Sequence, residues 1–231
     1  HYVDTGAGPP VLMVHGNPTS SYSFREQIAA LSARFRVVAP DLLGFGLSEG
    51  PERGASFPQQ AVMLCHLLDH LALGPFRLIG HDWGGPIGLG CAARRLQEIR
   101  QLVLINTTVL AGFKPPPYWK LFTARGIGEL LLVRMNLFGR GLPLLMRSAR
   151  SREVRQVYAR SLSVHAPRRT VLALERLEGY SSLMRQVETA LPCFSQMPTL
   201  IIWGQPDAYF RAHEFQRLKA LFPGAVVREI P

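Results

Sequence analysis

Short apolar runs alternate along this chain with stretches whose apolar residues recur every three to four positions. The runs at residues 11–14, 36–40, 76–79, 102–105, 199–203 and 225–230 read as strands. Residues 22–31, 59–73, 86–95 and 213–221 carry the helical period between them. Tyr2-Val3, a glycine-rich turn at residues 6–8 and the run 11–14 predict a hairpin feeding a buried strand. From residue 110 to 191 the alternation stops, and helix-like segments rich in Leu, Met and Arg follow one another. Strands alternating with helices predict an α/β fold, a mostly parallel sheet wrapped on both faces. The expected core spans residues 1–109 and 192–231. The helical block 110–191 is expected as a cap, inserted after the sixth strand over the strands' carboxyl ends, where open α/β sheets bind ligands.

One turn in that pattern carries chemistry. Gly80-His81-Asp82-Trp83-Gly84-Gly85 follows an apolar strand and leads into a helix. This strand–sharp turn–helix context is that of a nucleophile elbow, with glycines where strand and helix must crowd together. Here an aspartate stands at the tip. A carboxylate nucleophile forms an ester of the enzyme itself, which confines the chemistry to substrates it can attack at carbon. The bland alternative is a buried, hydrogen-bonded aspartate in an ordinary βα turn.

Composition narrows the classes. The 231 residues are 47% hydrophobic and 18% charged, an ordinary globular make-up without repeats. The net charge is +10, and all but three of the 26 basic residues are arginine. A basic balance can mark nucleic-acid or membrane partners. These arginines alternate with Leu and Met at helical spacing, so they read as solvated helix faces; no nucleic acid and no membrane are expected as partners. No apolar run is long enough to span a bilayer. Cys65, Cys91 and Cys193 sit in apolar contexts without metal-ligand company. They are expected as buried, reduced core residues in a cytoplasmic protein with no metal.

The stretches HGNPTSSYSFR at 15–25, PDLLGFGLSE at 40–49, GHDWGG at 80–85 and WGQPDAYF at 203–210 resemble, in order and spacing, an α/β-hydrolase of the haloalkane dehalogenase family. The resemblance covers essentially the whole chain and implies an alkyl-enzyme ester mechanism without a cofactor. The substrate would be small and apolar, the products alcohol and halide ion, and the protein a monomer or homodimer. It makes Asp82 the nucleophile. Asn17 and Trp83 become the halide-binding pair, through the side-chain amide and the indole N–H. Backbone N–H groups of the same two residues become the oxyanion hole, preorganised donors where negative charge develops. The triad acid would follow a strand end. Residues 106–109, Asn-Thr-Thr-Val, offer no carboxylate, so Asp207 is the candidate, with helix capping as its rival role. Trp83 could be plain packing, and Asn17 a turn residue beside Pro18.

The family's general-base histidine is not among the seven present: His15 and His81 belong to the motifs, His66 and His70 to an internal helix, His165 to the cap, His213 to a surface helix and His1 to the start. The expectation is that both ends of the chain are cut and that this histidine lies beyond Pro231. The protein as given would then alkylate itself without turning over, since ester release needs a base to activate water.

Other functions fit the same motifs. The β-lactone decarboxylases of long-chain olefin synthesis are similar, sharing the Asp, Trp and Asn positions and resembling the segment 130–138. An epoxide hydrolase would need acids for the opening oxygen, with Tyr118, Tyr158 and Tyr180 available by type. A non-catalytic relative that binds a small ligand is the reading from another class; the joint presence of Asp82, Trp83, Asn17 and Asp207 speaks against it. Phe113, Trp119, Phe122, Met135 and Phe138 would line the cap side of an apolar pocket.

Overall fold

In the computed structural model, which describes residues 1–145, 152–162 and 165–231, seven strands form one sheet. They are β1 (Tyr2–Thr5), β2 (Pro10–Val14), β3 (Arg36–Pro40), β4 (Phe76–His81), β5 (Ile99–Ile105), β6 (Thr199–Gly204) and β7 (Val226–Ile230). Their order is β1-β3-β2-β4-β5-β6-β7. All pairs are parallel except β1 with β3, where Tyr2 faces Pro40. The expected hairpin of β1 with β2 does not form. Gly6 and Gly8, both at positive φ, lay their loop against the backbone after the first helix, where a Cβ on Gly6 would meet the carbonyls of Ser32 and Phe35. The chain therefore crosses over the helix end instead of reversing tightly, and β1 reaches β3.

Helices α1 (Arg25–Leu31), α2 (Phe57–His70), α3 (Gly84–Ala92), α8 (Tyr180–Phe194) and α9 (Ala212–Leu221) flank the sheet. Helix α2 starts two residues before its predicted place because Gln59 Oε1 caps the Ser56 N–H at 2.9 Å. The main core forms on the sheet face carrying Leu12, Val14, Leu78, Leu102, Leu104 and Ile201, under α2, α3, α8 and α9. On the other face Val11, Met13, Val37 and Ala39 pack against Phe24, with Ile28 and Leu31 of α1 beside them. Coverage there is uneven: Ile79, Val103, Ile105, Leu200 and Ile202 line an apolar groove of about 320 Å³.

The expected helical block follows β5, the fifth strand in chain order. It comprises α4 (Trp119–Thr123), a π-helical turn at Glu129–Arg134, α5 (Leu137–Leu145), α6 (Arg152–Ser161) and α7 (His165–Glu175). Residues 146–151 and 163–164 lie outside the described residues, as does the side chain of His165. Helix α8, at the carboxyl side of the block, packs against α2 and α3 of the core.

Several arginines expected as solvated faces bind the block instead. Arg176 donates to both oxygens of Glu129, at 2.7 and 2.9 Å, and to the Thr123 carbonyl at 2.8 Å. Arg168 donates to the carbonyls of Leu162 and Val133, and Arg169 to that of Glu52. Helix carbonyls left without intrahelical partners attract such planar donors.

The cysteines also depart from expectation. Only Cys91 is buried; Cys193 is exposed, and Cys65 is half-buried with its Sγ 3.0 Å from that of Cys91. No helix of the described residues is long and apolar enough to cross a membrane.

Candidate active site

Asp82 sits where β4 turns into α3, at φ 53°. That left-handed conformation costs a residue with a Cβ on the order of 1–3 kcal/mol, so the surroundings must enforce it. They do so from three sides. The Asp82 N–H donates to the Ile105 carbonyl at 3.2 Å, and its own carbonyl accepts from Gly85 N at 3.1 Å and from Thr107 Oγ1 at 2.6 Å. The close approach needs glycine on the helix side, since a Cβ on Gly84 would enter the Val14 carbonyl and one on Gly85 the Thr107 hydroxyl.

The carboxyl of Asp82 is aimed at the loop after β2. Its Oδ1 accepts from the Asn17 backbone N–H at 2.7 Å, and the Trp83 N–H also donates to the carboxyl. The two amides expected to form the oxyanion hole thus point at the same place. Two features hold the Asn17 loop there. Gly16 passes so close to Asp82 that a Cβ would overlap its carboxyl. Buried His15 bridges Gly16 O through Nδ1 at 2.8 Å and accepts from Leu42 N through Nε2 at 2.9 Å. Burial, the largest cause, pushes the His15 pKa down to about 4, so the ring is neutral and can serve both partners.

Asp82 itself is pushed up to about 8. Burial is the main cause, opposed by the Trp83 and Asn17 amides and reinforced by two nearby carboxyls, Glu175 and Asp207. Asp207 lies on the loop after β6. Its Oδ1 accepts from the amides of Tyr209 and Phe210 at 2.8 and 2.9 Å, and its Oδ2 from Asn106 Nδ2 at 2.6 Å. Asn106, at the other place where the family's acid would stand, also takes the Gly204 N–H at 2.7 Å. It is a positioning partner for Asp207 that the sequence reading passed over because it is not acidic. Among the described residues no histidine hydrogen-bonds to Asp207.

The side chains of Asn17 and Trp83 do converge, but on a residue that sequence reasoning missed. Asn17 Nδ2 and Trp83 Nε1 both donate to Glu175 Oε1, at 2.6 and 3.2 Å. Trp119 Nε1 and Tyr209 Oη donate to Glu175 Oε2, at 2.5 and 2.6 Å. Glu175 is the last residue of α7 and is 5% exposed. Burial raises its pKa and the four donors lower it; the net direction is upward. The signal was available: Glu175 ends the apolar run Val171-Leu172-Ala173-Leu174, where an acid joins a face that is otherwise core. Asn17 Oδ1 is buried without a hydrogen-bond partner.

The aromatic wall is partly as expected. Trp83 meets Phe57, Phe113, Tyr180, Tyr209 and Phe210 edge to face, with ring centroids 5.1–5.8 Å apart. Trp119 packs on Phe122, Phe138 and Tyr209. Met135, expected in the lining, is the C-terminal cap of the π-helical turn and is exposed. The three tyrosines weighed as acids are committed elsewhere. Tyr118 is exposed, Tyr158 meets Tyr22 edge to face, and Tyr180 donates to the Leu110 carbonyl at 2.9 Å.

Comparison with known proteins adds the lineage. A family model described as the alpha/beta hydrolase fold matches residues 9–231. Haloalkane dehalogenase 2 of Mycobacterium tuberculosis is 34% identical over 246 residues, spanning 100% of this chain and 83% of that protein. A cis-3-alkyl-4-alkyloxetan-2-one decarboxylase of Shewanella oneidensis is 33% identical over 245 residues, spanning 99% and 77%. The crystal structure of an ancestral haloalkane dehalogenase superposes with a TM-score of 0.85 at 27% identity, covering 99% of this chain and 86% of the other.

Proposed function

The chain belongs to the α/β-hydrolase fold family, and from that membership we propose that it is a haloalkane dehalogenase-like hydrolase with Asp82 as nucleophile. The Asp82 carboxylate attacks a saturated carbon, the carbon–halogen bond breaks with its electron pair leaving on the halide, and an alkyl ester of Asp82 remains. The observation that carries this reading is the convergence of Asn17 Nδ2 and Trp83 Nε1 on one point beside Asp82, a point taken up by Glu175 Oε1. Two neutral N–H donors aimed at one point stabilise a departing anion without a fixed positive charge. The amides of Asn17 and Trp83, already directed at the Asp82 carboxyl, are placed for the oxyanion of ester hydrolysis. Asp207, held by three donors, is the triad acid. The segments that carry Trp119 and Glu175, α4 and α7, belong to the cap over the site.

Incubation with 1-bromobutane followed by peptide mass mapping tests this. A butyl adduct on the peptide carrying Asp82, absent from D82N, is expected together with bromide release. Bromide release by D82N at the wild-type rate would overturn the assignment.

A second reading, opening of a β-lactone, is favoured by one observation: the donors around Glu175 number four and are arranged in two pairs, one per carboxylate oxygen.

A further inference from the structure

Burial, the helix end and a second carboxyl all oppose a charge at Glu175. It ends α7, at the pole of the helix dipole that repels an anion. It is enclosed in apolar and aromatic surroundings, and Asp82 is a second carboxyl close enough to be raised by it. A buried ionic group of this kind is commonly outperformed in stability by an apolar side chain. Four donors nevertheless reach it from four separate parts of the fold: the loop after β2, the elbow, α4 and the loop after β6. Tyr209 stays a donor because burial, and Glu175 next to it, hold its phenol far from ionising. Asn17 and Trp83 meet at one oxygen, and Trp119 and Tyr209 at the other. A spherical halide needs one converging set. Two pairs, one per oxygen, are the complement of a carboxylate.

We propose that Asn17, Trp83, Trp119 and Tyr209 form a carboxylate receptor beside the nucleophile, that Glu175 is its resident ligand, and that Glu175 thereby determines which leaving group the site accepts. The binding claim stands on the donor geometry alone; its catalytic consequence rests on Asp82 being the nucleophile. When Asp82 attacks the saturated ring carbon of a β-lactone, the ring C–O bond breaks and its electron pair stays on oxygen. The leaving group is then itself a carboxylate, still attached to the alkyl chain. One negative charge passes from Asp82 to that carboxylate, and no proton transfer is needed. A halide leaving to the same place would engage only the Asn17–Trp83 pair. While Glu175 fills the receptor an arriving or departing anion must displace it, so removal of Glu175 opens the site.

Tryptophan fluorescence reads this directly, because Trp83 and Trp119 are in the receptor and the third, Trp203, is stacked away from it on Phe215. Wild-type protein and E175A are titrated with sodium acetate and sodium bromide. The wild type, where each anion must displace Glu175, is expected to bind both at least about tenfold more weakly than E175A binds acetate. E175A is expected to bind acetate at least about tenfold more tightly than bromide, a difference of roughly 1.4 kcal/mol, and to lose that preference when W119F or Y209F is added. Bromide binding E175A more tightly than acetate, or no response to either anion, overturns the proposal. If E175A does not fold, E175Q serves, since its amide satisfies one donor pair and opposes the other, and acetate must then raise its thermal midpoint more than bromide does. Labelling of Asp82 by a cis-disubstituted β-lactone and by 1-bromobutane separates the sources. A shift in E175A toward the lactone identifies a carboxylate leaving group. Acetate binding without that shift identifies a free carboxylate as the ligand. No labelling by either reagent, with acetate still bound, removes Asp82 as nucleophile and leaves the receptor intact.

Discussion

In the reaction proposed above, Asp82 is an acid before it is a nucleophile. With its pKa raised to about 8 by burial and by neighbouring carboxyls, the attacking carboxylate is the minor species at neutral pH. The rate of first-turnover alkylation is therefore expected to fall about tenfold per pH unit below pH 8 and to level off above it. Stopped-time mass spectrometry between pH 5 and 9.5 checks this. The groups facing Asp82 are Glu175, Asp207 and the amides of Asn17 and Trp83. E175Q removes one raising charge and should move the midpoint downward. A flat profile would mean the carboxyl is ionised throughout. Asn106 works at the same scale but on the other acid. N106A removes the donor to Asp207 Oδ2 and two contacts with Gly204. It should lower stability by about 1–2 kcal/mol in urea unfolding, while first-turnover labelling of Asp82 stays within about twofold. Asp82, Trp83, Asn17 and Asp207 could be singled out as candidates in the sequence because motif, spacing and strand context coincide on them. Glu175 could not, because its four donors are scattered between residues 17 and 209, and no local pattern records such a convergence. Tyr209 and Trp119 were visible only as aromatic residues, since which hydroxyl or indole finds a partner is settled by packing.

Between β4 and α3 the elbow is an arrangement of two elements, and its tolerance is set by contacts between them. Gly84 has no room for a methyl group, because the Val14 carbonyl of the neighbouring strand occupies it. A backbone atom cannot move as a rotamer can, so G84A must push α3 off the sheet. A loss of about 1–3 kcal/mol is expected. With it should come a loss of Asp82 labelling larger than the stability change explains, because the same shift opens the contact of Thr107 with the Asp82 carbonyl. Chemical denaturation and labelling on the same preparation separate the two; unchanged stability would show that helix and strand are not in contact as described. Strand and helix positions were readable at this scale, since each buried run has the length and period of its element. The partner of β1 was not. A glycine-rich loop reads as a tight turn, and only the α1 end it packs on shows that the chain passes over. The work of Arg176 was hidden for a related reason: a helical arginine looks solvated until the carbonyls and the Glu129 it clasps are folded beside it.

At the scale of the whole molecule, the site puts two carboxyls in the interior, and this fixes how stability varies with pH. Asp82 and Glu175 both titrate higher folded than unfolded. Between the unfolded carboxylate value of about 4 and the folded value of about 8 for Asp82, the native state binds more protons than the unfolded state. Stability therefore falls as pH rises across that window. Glu129 has the opposite sign. The Arg176 guanidinium, its largest cause, holds it down to about 2, so its contribution is present above its ordinary value and is lost as pH falls toward 2. That pair is half in solvent, and its weight is correspondingly small. Together these shifts place the thermal maximum near the lower edge of the window, on the acid side of neutrality, rather than near the high isoelectric point implied by a net charge of +10. Calorimetry from pH 4 to 9 should show the midpoint descending toward alkali in the wild type. In the D82N/E175Q double variant that descent should flatten while the loss at acid pH persists. The physical point is that one cluster imposes both behaviours. The enclosure that raises the Asp82 pKa, and that would keep the proposed attack dry, also makes its ionisation a load on the fold. An equal alkaline slope in wild type and double variant would mean that the carboxyls governing stability lie elsewhere.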